Sequence, residues 1–194
     1  MEDIGKKFEH LFKVISNEEF LRMESLGGEI PFFISAFNAK QQVEVDSAIR
    51  GLKNKLETNG ISVLELNLYD IAMELLSEEL GESEIFELEK TMDKLEFKEA
   101  LQSTLDINEV LMPRIKSIID SHPARVYFLT GIGMVYPFIR SHNVLNNLQN
   151  VAKEAPTVMF FAGKYSGYSL DLFGLLKDDN YYRAFNIDDY KLKK

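Results

Sequence analysis

The sequence predicts an α/β protein: a mainly parallel sheet of four or five strands, Rossmann-like or degenerate P-loop-like, flanked by helices and interrupted by a helical excursion between strands two and three. Three observations predict it. Short apolar runs bounded by Gly, Asn or Pro recur at 30–37, 61–67, 125–130 and 156–163. Stretches with apolar residues at helical spacing separate them, so strands and helices alternate as in βαβ units. The 45% apolar and 27% charged content over 194 residues supports one well-buried core, and a single domain spanning 1–194 is expected.

Each element follows from its own pattern. Phe8, Leu11, Phe12 and Ile15, then Phe20 and Leu21, give one or two amphipathic helices stopped by Gly27-Gly28. Residues 30–37 form strand one. From 40 to 59 a helical stripe runs through Val43, Val45, Ile49, Leu52 and Leu56, and Asn59-Gly60 supplies a left-handed stop before strand two at 61–67. The excursion, about 69–122, is too long for one crossover. Its periodicity gives helices near 71–80, 83–92, 95–105 and 107–119. Glu78, Glu79, Glu82, Glu84, Glu87 and Glu89 make its first part acidic, and Lys90, Lys94 and Lys98 follow at four-residue spacing, a pattern that suits a solvated face with i,i+4 ion pairs better than a docking surface. Strand three at 125–130 leads to a helix from about 136 to 152. Residues 156–163 are wholly apolar and so form a buried central strand. A short helix around 170–176 and a last strand near 182–187 complete the order, with 191–194 frayed.

Composition narrows the function. A net charge of −9 argues against a surface built to neutralise phosphates. The absence of cysteine excludes disulfides, thiolate metal sites and cysteine nucleophiles. No apolar run reaches the roughly 20 residues that span a bilayer, and the start lacks a signal-peptide pattern, so a cytoplasmic protein is expected.

Motif chemistry is sparse. Gly-x4-Gly-Lys-Ser/Thr is missing, and Gly163-Lys164 lacks both the preceding glycine and the following hydroxyl. Gly131-Ile-Gly133 is half a dinucleotide fingerprint whose third glycine position holds Tyr136. His10, His122 and His142 form no metal signature, and Ser166 and Ser169 lie in no Gly-x-Ser-x-Gly elbow. Asp178, Asp179, Asp188 and Asp189 suit a solvated edge better than a Mg²⁺ site, and Tyr181, Tyr182 and Phe185 suit packing better than base stacking. No catalytic constellation, cofactor or metal is expected.

What remains is a place. In parallel α/β sheets ligands sit beyond the carboxyl ends of the strands, and beyond strand three stand Arg140, Ser141, His142 and Asn143. These residues serve either recognition or local capping and turn hydrogen bonds. Asn143, Asn146, Asn147 and Asn150 share one helix face opposite Val144, Leu148 and Val151, so they bond to neighbouring loops or face a partner chain.

Seven segments together resemble a known family: Phe20-Leu-Arg-Met-Glu24, Gly28-Glu-Ile-Pro-Phe-Phe33, Leu66-Asn-Leu-Tyr-Asp70, Leu129-Thr-Gly-Ile-Gly133, Tyr136-Pro-Phe-Ile-Arg-Ser-His-Asn143, Ser169-Leu-Asp-Leu-Phe-Gly174 and 178–186. They are similar to the BrxB family of bacteriophage exclusion (BREX) defence systems. The resemblance implies a cytoplasmic component that works with a PglZ-like phosphatase-fold protein, a BrxC-like ATPase and a PglX-like adenine methyltransferase. It supplies no catalytic residues. The expectation is a non-catalytic adaptor that binds the PglZ-like protein, and the ATPase with it, through Tyr136, Arg140, His142, Asn143 and Asn147. The alternative is a nucleotide- or nucleic-acid-binding module of the same system, using the strand ends and Lys164 as anion contacts.

Overall fold

The structure, a computed structural model, describes residues 2–24, 31–178 and 184–190. Helix α1 (Ile4–Ile15) starts at Asp3, whose carboxylate accepts from Lys6 N, and a short α2 (Glu18–Leu21) follows. Strand β1 (Phe32–Phe37) leads through a 3₁₀ turn (Ala39–Gln41) into α3 (Gln42–Thr58) and then β2 (Val63–Asn67). The excursion is α4 (Leu68–Glu79), α5 (Glu82–Thr91), α6 (Lys94–Thr104), a π turn (Ile107–Leu111) and α7 (Met112–Ser121). After it come β3 (Val126–Thr130), α8 (Ser141–Val151) and β4 (Thr157–Tyr165). Last are β5 (Leu170–Leu172), β6 (Leu176–Asp178), β7 (Phe185–Asn186) and a 3₁₀ turn (Ile187–Asp189).

Five strands pair in parallel in the order β2-β3-β4-β1-β7, with β4 central as its composition predicted. The chain leaves β1 toward β2 in one direction and returns through β3 to β4 in the other. Crossovers of one hand must then lie on opposite faces of the sheet. Alternation along each strand shows that they do. Phe33, Phe37, Val126, Phe128, Val158 and Phe160 pack with α1 and α3. Phe32, Ile34, Tyr127, Leu129, Met159 and Phe161 pack with α4, α7 and α8.

Three expectations are corrected. The helix expected from about 136 begins at Ser141, because residues 131–139 form successive turns: Met134 N donates to Gly131 O, and Phe138 N and Ile139 N donate to Val135 O. Pro137 has no N–H to give a helix and disfavours helical geometry at Tyr136. Around 170–176 there is no helix but the β5–β6 hairpin, antiparallel on the far end of β4. Its turn residues Phe173 and Gly174 both have positive φ, 57° and 71°, as tight hairpins require. Strand one begins at Phe32, and among the described residues the last strand is Phe185–Asn186, with Ile187 in the 3₁₀ turn instead of the strand. Gly27-Gly28, Asp179, Tyr181, Tyr182 and 191–194 lie outside the described residues.

Candidate functional site

A cleft of about 460 Å³ opens at the carboxyl ends of β1 to β4, on the α3 side of the sheet. Its position follows from the topology. The connection leaving β1 goes to the α3 face, whereas β3 continues by way of Ile132, Val135 and Ile139, which pack into the opposite core. The chain therefore parts above the strand ends.

Each wall has a local cause. Asn67 ends β2 and caps α4, its Oδ1 accepting from Tyr69 N at 3.1 Å and from Asp70 N at 3.5 Å. Gly131 follows β3 at φ +75°, so close to that cap that a Cβ would stand 2.2 Å from Asn67 Oδ1. On the β2 side, Thr130 Oγ1 donates to Glu65 Oε1 at 3.0 Å, and Lys53 Nζ stands 3.9 Å from Glu65 Oε2. From α3, Asp46 accepts from Gln42 Nε2 at 2.7 Å, and the exposed Arg50 has no ion-pair partner among the described residues. The far wall is Phe173, whose N–H donates to Ala162 O at 2.8 Å and whose ring would lie 3.2 Å from a Cβ on Gly133. The hairpin turn is thus seated on the end of the central strand.

The five residues singled out in the sequence lie along the same loop and in the helix after it, outside the cleft lining. Tyr136 is 38% exposed, and Arg140 is exposed. Arg140 begins α8 with its backbone carbonyl, which accepts from Asn143 N and Val144 N, and its side chain makes no capping bond. His142 and Asn143 are half-buried. Asn147 Nδ2 donates to Asn143 O at 2.8 Å, so one member of the asparagine face bonds within its own helix, while Asn146 and Asn150 are exposed. The excursion braces this loop, with Gln102 Nε2 donating to Pro137 O at 3.2 Å. Lys164 stands near the end of β4, paired opposite Asp171 of the hairpin, and is not part of the cleft lining. Among the described residues no three His, Cys, Asp or Glu side chains gather as metal ligands.

Sequence reasoning located the strand ends but missed Asp46 on α3 and Glu65 and Asn67 on β2, which line the cleft. Asn67 carried a signal, an N-cap residue directly after an apolar strand. Glu65 carried one too, as a charge inside an otherwise apolar run.

Residues 64–187 match the family model described as BREX protein BrxB. BREX protein BrxB of Bacillus cereus (strain H3081.97) is 34% identical over 194 residues, covering 97% of this chain and all of that protein. BREX protein BrxB of Escherichia coli O9:H4 (strain HS) is 28% identical over 173 residues, 89% of this chain and 86% of that protein. No solved structure matches. Among the described residues no helix is long and apolar enough to cross a membrane. The family match begins in β2 and takes in the β3–α8 loop and the hairpin. The chain belongs to the BrxB family, a component of BREX antiviral defence systems.

Proposed function

We propose that this chain is a non-catalytic adaptor of its BREX system, acting in the cytoplasm and docking a PglZ-like phosphatase-fold protein through the carboxyl end of its sheet. One observation carries the reading. Large apolar side chains stand in water on two loops that meet where Phe173 rests on Gly133: Met134 is 52% exposed, Phe173 42% and Leu175 83%. Tyr136 and Arg140 extend this surface along the β3–α8 loop. Contiguous exposed apolar patches mark interaction surfaces, and aromatic and Arg side chains supply their anchors. The BrxC-like ATPase and the PglX-like methyltransferase join through the same assembly.

The test is size-exclusion chromatography with light scattering on the chain mixed with its PglZ-like neighbour at about physiological salt, where the Debye length is roughly 8 Å. A stoichiometric complex is expected. Met134→Asp with Leu175→Asp, and separately Arg140→Ala with His142→Ala, should each weaken it about tenfold or more. Separate peaks for the wild-type pair overturn the adaptor reading, and unchanged binding by both double variants overturns its placement.

A further inference from the structure

The adaptor surface leaves the interior of the cleft without a role. We propose that this cleft is a binding site for a nucleoside, a ligand with a flat heterocycle and a hydroxyl-bearing sugar but no phosphate. Position is the first argument: the cleft lies at the carboxyl ends of the strands where connections part to opposite faces, the place at which parallel α/β sheets receive ligands. Size is the second, since about 460 Å³ falls within the roughly 300–1,000 Å³ of small-molecule sites.

Chemistry selects the class. One part of the lining is apolar and suited to a flat ring, with Phe37, Phe160, Phe173 and Met134 contributing. Arg50, unpaired among the described residues, brings a planar guanidinium that stacks on heterocycles as well as donating hydrogen bonds. Two carboxylates, Asp46 and Glu65, supply acceptors. Glu65 is held in place by Thr130 and uses only part of the acceptor capacity of its carboxylate, so it can take sugar hydroxyls. The same two carboxylates oppose a phosphate, and Lys53 beside Glu65 together with Arg50 brings the site close to electrical balance. A neutral ligand rich in donors and bearing an aromatic face meets all of these conditions.

Isothermal titration calorimetry on the full chain tests it, with adenosine, guanosine, cytidine and thymidine as probes beside AMP and ATP. At least one nucleoside should bind saturably, and its mono- and triphosphate should bind more weakly. Glu65→Gln preserves size and a partner for Thr130. Phe173→Asn removes the ring with a residue that tolerates positive φ. Each should weaken nucleoside binding about tenfold or more while the melting transition stays cooperative. The inference is overturned if no nucleoside binds at millimolar concentration, if both variants bind as the wild type does, or if ATP binds more tightly than its nucleoside. Phe173 and Met134 belong to both surfaces, so complex formation with the PglZ-like protein is read with Glu65→Gln: loss of the nucleoside with the complex intact separates this inference from the adaptor proposal.

Discussion

Gly131 joins three features through a single missing Cβ: the end of β3, the floor of the cleft and the cap of α4. Its φ is +75°, and a Cβ there would stand 2.2 Å from Asn67 Oδ1 and 2.9 Å from Tyr69 N. Gly131→Ala therefore combines left-handed backbone strain of about 1 kcal/mol with displacement of the Asn67 cap, worth about 1 kcal/mol more. Urea unfolding should show a loss of about 2 kcal/mol for this variant and about 1 kcal/mol for Asn67→Ala. The double variant should cost less than the sum, because the oxygen struck by the new methyl group is then gone. Strict additivity would show that the two residues do not collide and that Gly131 is required for its φ alone.

At the scale of elements, the β5–β6 hairpin depends on another close approach. A Cβ at Gly163 would stand 2.2 Å from Asp171 O, so only glycine lets β5 lie across the end of β4. Gly163 also lies one residue beyond the β1 register, which ends at Phe37 opposite Ala162. Gly163→Val should therefore release the hairpin while the five parallel strands persist. Hydrogen exchange at Leu170 to Leu176 should become fast while Val158 to Phe161 stay protected; equal loss of protection in both would show that the hairpin and the sheet unfold as one unit. This hairpin was misread in the sequence because seven residues fit either period. Leu170 and Leu172 alternate as a strand does, yet Leu170, Phe173 and Leu176 also sit at helical spacing, and the deciding signal was the turn-forming Gly174. Sustained patterns were legible. Val45, Ile49, Leu52 and Leu56 of α3 are all buried, although Val43, counted in the same stripe, is 84% exposed. The late start of α8 was legible only through Pro137, since Val135 and Ile139 bury themselves in turns that helical periodicity cannot distinguish from a first helical turn.

For the molecule as a whole, parallel order was readable because short, mainly apolar strands alternated with helices. The cleft was not readable, because Asp46, Glu65 and Thr130 come together only through tertiary pairing of β2 with β3 under α3. Tertiary pairing also joins the two ends of the chain. Lys7, with its side chain only 6% exposed, donates to Ala36 O at 2.7 Å, Asp188 Oδ2 at 2.8 Å and Glu2 Oε1 at 3.0 Å, while Ser35 Oγ donates to Asp188 Oδ1 at 3.2 Å. Burial raises the Asp188 carboxyl above its ordinary range; Lys7 and Ser35 oppose that rise and Glu2 adds to it. A carboxyl raised in the folded state favours folding when protonated. Its contribution is fully present below the unfolded value and is lost as pH climbs through the folded one. Lys7→Met keeps the apolar stem but removes the charge that opposes the rise, leaving a desolvated carboxylate at neutral pH. The variant should lose about 3 kcal/mol at pH ~7, and the deficit should shrink as pH is lowered from there and Asp188 takes up its proton. In Lys7→Met with Asp188→Asn the deficit should be smaller and nearly independent of pH over the same range. A Lys7→Met deficit that is constant with pH would mean that the lysine stabilises the fold by packing and by its bond to Ala36, and that its charge contributes nothing through Asp188.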